Sequence, residues 1–139
     1  MSYLLDTNIV SEARKGERAN PGVVAWLSSV RSGELYISVL VVGEIRQGVE
    51  RLRRRDPAQA EAFDAWLERL LRDYAERVVP VNAEIAEEWG RMNVPDSLSA
   101  VAGLMAATAK ARGMTFVTPN TADVAGTGVR LLNPFASSA

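Results

Sequence analysis

The chain has 139 residues, 47% of them hydrophobic, which suits one domain with a substantial core and is too short for two ordinary domains. It contains no histidine and no cysteine, which excludes Ser-His-Asp and Cys-His catalysis, histidine-ligated metals and disulfides. The net charge is −1, so a polyanionic partner would have to meet a local basic surface. No apolar run is long enough to cross a bilayer and no signal peptide is predicted, which is compatible with a cytoplasmic protein without a membrane partner.

The first half of the chain predicts two strands, each followed by a helix. Tyr3-Leu4-Leu5 is an apolar run too short for a helix and predicts a buried strand that ends at Asp6, with Thr7 or Asn8 suited to cap a helix over residues 9–15. Asn20-Pro21 predicts the start of a second helix, because asparagine caps helices and proline fits their first position. Residues 34–38 predict the second strand, after which Ser38 is suited to cap a long helix that reaches about Arg55.

The second half continues the alternation. Asp56-Pro57 repeats the cap-and-proline pattern, so the helix over residues 58–75 should form a hairpin with the helix before it. Later helices are expected through Met92, with Asn82 as the cap, and from Ser99 to Arg112, the last one closed by Gly113. The remaining predicted strands cover residues 78–81, 115–118 and 129–132. Strands that alternate with helices predict one α/β domain over residues 1–135 with a mainly parallel sheet, followed by a frayed tail over residues 136–139.

Three carboxylates follow predicted strands at short distances along the chain. Asp6, Glu44 and Asp123 should therefore meet at one edge of a parallel sheet. Ionised carboxylates that share a small site either raise their pKa values or bind a cation, and oxygen ligands select Mg²⁺ or Mn²⁺. Such an ion can activate water and support phosphoryl displacement without histidine.

Each acid also has a purely structural explanation. Asp6 could serve only as a helix cap, and Asp123 could form an Asx turn or cap. Glu44 could extend to solvent and pair with Arg46 or Arg51. The shared position of the three acids after strands favours a common site.

Three motifs resemble those of PIN-domain nucleases, in particular the VapC-type toxins of bacterial toxin–antitoxin pairs. They are Tyr3-Leu4-Leu5-Asp6-Thr7-Asn8, then Ile37-Ser38 with Glu44 in the following helix, then Val117-Thr118-Pro119-Asn120-Thr121-Ala122-Asp123. The resemblance implies an α/β/α sandwich with helices on both faces of the sheet. It also implies a Mg²⁺-dependent endoribonuclease that forms a homodimer and is neutralised by a cognate antitoxin. Asp6, Glu44 and Asp123 would be its catalytic and metal-binding acids.

One acid of the family pattern is missing from this sequence. The pattern has a further acid at the start of the helix before the last motif, and Ala102 occupies that position here. We therefore expect a weakened metal site and little activity. The alternative is a catalytically inactive binding module that retains the dimer and antitoxin interfaces. A phosphoacceptor receiver domain is disfavoured, because neither an acidic pair after the first strand nor a lysine after a late strand is present.

The candidate RNA contacts are polar residues of the motifs and an arginine-rich helix end. Five arginines between positions 46 and 55 could hold phosphates, although the last three equally fit a solvated helix face. The predicted substrate-binding residues are Thr7, Asn8, Ser38, Arg46, Asn120 and Thr121.

Overall fold

Five short strands form one sheet in the computed structural model, which describes residues 1–135. The strands are β1 (Tyr3–Leu5), β2 (Leu35–Ser38), β3 (Val78–Val79), β4 (Thr115–Val117) and β5 (Leu131–Leu132). They lie in the order β3-β2-β1-β4-β5, and every pairing between them is parallel. The predicted α/β fold with a mainly parallel sheet is therefore confirmed. The tail predicted for residues 136–139 lies outside the described residues.

Six α-helices connect these strands within the described part of the chain. They are α1 (Thr7–Ala13), α2 (Pro21–Ser29), α3 (Val39–Arg53), α4 (Pro57–Asp73), α5 (Ala83–Met92) and α6 (Ala100–Arg112). Most boundaries follow local capping chemistry as predicted: side-chain oxygens of Asn20, Ser38, Asp56 and Asn82 accept backbone N–H groups of their helices. Gly113 closes α6 with a φ of +67°, in the left-handed region that favours glycine.

The start of α1 differs from the prediction. The helix begins at Thr7, two residues earlier than the sequence suggested, because its cap is Asp6 and neither Thr7 nor Asn8. Asp6 Oδ1 accepts the Thr7 backbone N–H at 2.7 Å. The structural role proposed for Asp6 is therefore real, and it coexists with the position of this residue at the strand edge.

The strand order creates a crevice between β1 and β4. From β1 the chain moves outward through β2 to β3, and it then returns to β4 on the other side of β1. Because parallel crossovers are right-handed, α1 to α4 cover one face of the sheet, and α5 and α6 cover the opposite face. α3 packs against β2, and α6 packs against β1 and β4. Open α/β sheets bind ligands outside the carboxyl ends of the strands at such a reversal, where Asp6 and Thr118 lie.

The core surrounds the central strands. Leu4, Ile37 and Phe116 of β1, β2 and β4 are at most 1% exposed. Val41 and Ile45 are buried residues of α3 on the side that packs against the sheet. α3 and α4 pack as the predicted helical hairpin. No helix within residues 1–135 combines the length and apolar character needed to cross a membrane.

Candidate functional site

Asp6 is held rigidly at the carboxyl end of β1. Its backbone N–H continues the β1–β4 pairing by donating to the Val117 carbonyl oxygen at 2.9 Å. Its two carboxylate oxygens accept different donors, the Thr7 backbone N–H at 2.7 Å and the Thr118 hydroxyl at 2.7 Å. The Thr118 oxygen in turn accepts the Asn120 backbone N–H at 3.0 Å. This chain of hydrogen bonds fixes the orientation of a carboxylate that is only 9% exposed.

Glu44 approaches Asp6 from the neighbouring strand–helix unit. It lies in the second turn of α3, the helix that follows β2, and the register of β1 and β2 sets the two acids side by side. The Thr7 hydroxyl donates to Glu44 Oε1 at 2.5 Å, while the Thr7 backbone N–H donates to Asp6. Thr7 therefore bridges the two acids, and Glu44 points into the site instead of pairing with Arg46 or Arg51.

The third acid lines the same cleft. Asp123 is exposed on a 3-10 turn, Thr121–Val124, that follows β4. The cleft has a volume of about 390 Å³ and is lined by Asp6, Thr7, Asn8, Glu44, Gln47, Arg51, Ser99, Val101, Ala102, Met105, Asn120 and Asp123. The structure thus places the three acids singled out from the sequence around one cleft.

The cleft has two contrasting walls. The strand wall consists of Asp6, Thr7 and Glu44, which are joined by hydrogen bonds. The helix wall consists of Ser99, Val101, Ala102 and Met105 at the start of α6. The first turn of α6 contains no acidic residue, and Ala102 is its third residue. The methyl group of Ala102 therefore borders the cleft at the position where the family resemblance places an acid.

The pKa of the Asp6 carboxyl is set by its burial and by its neighbours in the cleft. Burial raises the pKa of the Asp6 carboxyl, the hydrogen bonds from Thr118 and Thr7 oppose this rise, and the charge of nearby Glu44 adds to it. The net pKa shift is upward. The strand wall is therefore a place where added positive charge is favourable.

The donor chemistry of the cleft fits a hard divalent cation bound through few protein atoms. Within residues 1–135 no three acidic side chains are close enough to hold one metal ion together, so a closed three-carboxylate cage is absent from this part of the chain. Mg²⁺, however, commonly binds through one or two carboxylates and retains several water molecules. Asp6 and Glu44 supply such a pair, and Asp123 faces the same space.

The predicted substrate-binding residues divide into two groups. Thr7, Asn8 and Asn120 line the cleft, whereas Ser38, Arg46 and Thr121 do not. Ser38 is fully buried, and its hydroxyl oxygen accepts the Leu40 backbone N–H as the cap of α3. Arg46 points toward α4, where it pairs with Asp64 at 3.0 Å.

The predicted substrate-binding residues do not include Thr118, Gln47 or Arg51, although Arg51 is one of the arginines expected from the sequence to hold phosphates. Thr118 was part of a recognised motif, but its hydrogen bond to Asp6 depends on the pairing of β1 with β4. Gln47 and Arg51 lie three and seven residues after Glu44 on one face of α3, and this helical spacing was an available signal.

Comparisons with known proteins agree with this geometry. A family model described as the PIN domain matches residues 3–122. Ribonuclease VapC14 of Mycobacterium tuberculosis (strain CDC 1551 / Oshkosh) is 40% identical over 68 residues, which cover 49% of this chain and 65% of that relative. Toxin FitB of Neisseria gonorrhoeae (strain ATCC 700825 / FA 1090) is 30% identical over 138 residues, which cover 95% of this chain and 97% of FitB.

A solved structure extends the similarity to three dimensions. The crystal structure of FitAcB from Neisseria gonorrhoeae matches with a TM-score of 0.88 and 30% sequence identity, covering 97% of this chain and 99% of that chain. The family match includes β1, α3 and the turn that follows β4 up to residue 122, immediately before Asp123. Because the family model and the FitB match both span most of the sequence, the chain belongs to the PIN-domain family.

Proposed function

We propose that this chain is a metal-dependent endoribonuclease toxin of the VapC type, which acts on RNA in the cytoplasm. The observation that carries the proposal is the Asp6–Thr7–Glu44 arrangement at the sheet edge, with Asp123 facing the same cleft. Relatives named as a ribonuclease and as a toxin support the same assignment. The absence of histidine is consistent with carboxylate chemistry.

The protein's own groups orient the acids before any substrate binds. The Thr118 hydroxyl and the Thr7 backbone N–H each hold one oxygen of Asp6, and the Thr7 hydroxyl holds one oxygen of Glu44. Asp6 and Glu44, with Asp123, are the residues that would hold Mg²⁺ or Mn²⁺. When bound, the ion would lower the pKa of a coordinated water and stabilise charge on the scissile phosphate.

The direct test is RNA cleavage by the purified chain with Mg²⁺, with Mn²⁺ and with a chelator. Cleavage should require the cation and fall about a hundredfold or more in Asp6→Asn and Glu44→Gln, by analogy with the loss of a transition-state stabilising group. Glu68→Gln is a matched control, because Glu68 is exposed on α4 and does not line the cleft. Cation-independent cleavage, or equal losses in all three variants, would contradict the assignment.

The presence of Ala102 in the helix wall favours a second candidate function. A site with one carboxylate fewer binds a cation more weakly, so the chain can serve as a binding module without turnover. In that case the protein would bind RNA and its antitoxin but leave RNA intact with either cation. Introducing an acid at position 102 separates the two candidates.

The proposed partner is a cognate antitoxin that inserts a cationic side chain into the cleft. Arginine suits this role because its planar guanidinium binds carboxylates through two hydrogen bonds and would exclude a metal ion. A structure of the complex should place an arginine beside Asp6 and Glu44. A complex in which these acids remain open to solvent would place inhibition elsewhere.

We also propose that the chain forms a homodimer through apolar helical surface. The family resemblance and the exposed side chains of Val24, Val39 and Leu71, which lie on three different helices, support this proposal. Sedimentation should give the mass of a dimer at micromolar concentration. A monomer at that concentration would contradict it.

A further inference from the structure

The arginines of the α3 region have very different surroundings. Arg46 pairs with Asp64 at 3.0 Å and with Glu50 at 3.3 Å. Arg53 pairs with Glu50, Glu61 and Asp64 at 2.8–3.3 Å. These two guanidinium groups therefore link α3 to α4, and their charge is balanced by acids of both helices. They are poorly placed to hold RNA.

Arg51 differs from these two arginines in its pairing and its location. It is exposed, lines the cleft that contains Asp6 and Glu44, and forms no ion pair with any residue between positions 1 and 135. Among the described residues that line the cleft it is the one cationic side chain.

The geometry of α3 aims Arg51 toward the acids. Residues seven positions apart lie on one face of a helix, about 10 Å apart along the axis. Helical side chains also tilt toward the N-terminus of their helix, which is the direction of Glu44 from Arg51. Gln47 lies between them on the same face and also lines the cleft. Acid, amide and guanidinium thus follow one another along a single helix.

We propose that Arg51 is a substrate-binding residue that holds a backbone phosphate of the RNA strand next to the scissile phosphate. This inference rests on the proposed ribonuclease function and assigns one contact within it. A cleft bordered by three carboxylates repels a polyanion, so RNA needs a fixed cation near the acids. An unpaired arginine provides that charge and binds phosphate through two hydrogen bonds.

The test is RNA binding measured without turnover. A short fluorescein-labelled single-stranded RNA of mixed sequence is titrated with protein in chelator, and anisotropy is followed from about 50 to about 200 mM KCl. Arg51→Gln should weaken binding about tenfold at the lowest salt and reduce the slope of log K against log salt by about 0.7. Arg51→Lys should recover most of the slope, because it retains the charge.

Arg54→Gln is the matched control. Arg54 is exposed at the end of the same helix, does not line the cleft, and loses the same charge on substitution. Its affinity and salt slope should equal those of the unsubstituted chain, and all variants should melt at similar temperatures.

Three results would overturn the proposal. Equal effects of Arg51→Gln and Arg54→Gln would mean that only net charge matters, and no effect of Arg51→Gln would mean that RNA does not reach this residue. In both cases the unsubstituted chain still binds RNA, so the ribonuclease function survives. If the unsubstituted chain itself fails to bind RNA, the proposed function fails and this inference fails with it.

Discussion

The two walls of the cleft differ in polarity and in how firmly their side chains are held. On the strand wall every oxygen of Asp6 and one oxygen of Glu44 accept a hydrogen bond. On the helix wall Ser99 makes no side-chain capping bond, and its neighbours Val101, Ala102 and Met105 are apolar. The strand wall supplies negative charge in a fixed position, whereas the helix wall supplies an uncharged, mainly apolar surface that borders the cleft.

This difference bears on the expectation that the site binds a metal ion weakly. The acids of the strand wall are already oriented, because strand pairing and helix capping fix them before any ligand binds. The helix wall faces them with the methyl group of Ala102, at the position where the family resemblance implies a further carboxylate. We therefore infer that the absence of an acid at position 102 would be the main weakness of the site, and substitutions can alter one wall while the other stays intact.

The largest effect is expected from Ala102→Asp, which gives the helix wall an acid. A carboxylate in the first turn of α6 is stabilised by the helix N-terminus and would face the strand wall. If the added ligand improves transition-state stabilisation by about 3–4 kcal/mol, Mg²⁺-dependent RNA cleavage should rise by a factor of hundreds. Cleavage of labelled RNA by the two proteins, assayed side by side, measures this ratio.

Ala100→Asp is the control for this change. Ala100 is in the same first turn of α6 but is exposed and does not line the cleft. It adds the same charge to the same helix end and should leave cleavage unchanged. If Ala102→Asp binds no more Mn²⁺ and cuts RNA no faster than Ala100→Asp, position 102 is not the site of the missing acid.

The second prediction weakens the strand wall through Thr118. Thr118→Val keeps the shape of a side chain that is 1% exposed but removes the hydroxyl that donates to Asp6. Partners that orient ligands typically contribute a factor of about 10–100 to metal affinity, and a loss of this size is expected for Mn²⁺. Calorimetric titration of Mn²⁺ into the Ala102→Asp protein, with and without Thr118→Val, measures it.

Thr108→Val is the corresponding control, on α6. Thr108 is equally buried on α6, where its hydroxyl donates to the Leu104 carbonyl oxygen at 2.7 Å. It should leave Mn²⁺ affinity unchanged. Equal losses from both variants would mean that Thr118 acts through general stability and does not orient Asp6.

A third prediction is that Ala102→Asp, which should raise activity, lowers the stability of the protein when no cation is present. Without a cation, the Ala102→Asp carboxylate is repelled by the strand wall, so the free energy of unfolding should fall by about 1 kcal/mol in chelator. Mg²⁺ at about a hundred times its Kd would add about 2.7 kcal/mol, which more than offsets this loss. Thermal melts of Ala102→Asp and Ala100→Asp with and without Mg²⁺ test this, and equal responses of the two variants would refute it.

The sequence predicted the strand wall better than it predicted the residues around it. Caps at Asn20, Ser38, Asp56 and Asn82 depend on local chemistry, so the order of the elements followed directly from the chain. A parallel sheet then brings together any acids that follow its strands. This reasoning was sufficient to place Asp6, Glu44 and Asp123 around one cleft.

What the sequence did not predict depends on contacts between distant segments. Arg46 was preferred over Arg51 as an RNA contact, but the choice depends on Asp64, which reaches α3 only when the hairpin has formed. Thr118 contacts Asp6 across 112 positions of sequence. The helix rotation and strand order that set these contacts are properties of the packed domain.

The smallest predicted effect tests how closely the helix wall is held. A methyl group on Gly103, the residue after Ala102, would lie 3.1 Å from the Trp89 indole nitrogen and 3.1 Å from Leu98 Cβ. Gly103→Ala gains about 0.5–1 kcal/mol of helix stability but should lose more to overpacking, for a net loss of about 0.5 kcal/mol.

Gly90→Ala, on the helix α5 that packs against α6, adds a methyl group where there is room for it. A methyl group there meets no atom within 4 Å, so the full gain of about 0.5–1 kcal/mol should appear as added stability. Denaturant unfolding of the two variants should therefore shift the midpoint in opposite directions. If Gly103→Ala stabilises the protein as much as Gly90→Ala, α5 and α6 can separate at little cost. The helix wall would then be a movable surface, and the distance from position 102 to Asp6 would not be fixed by packing.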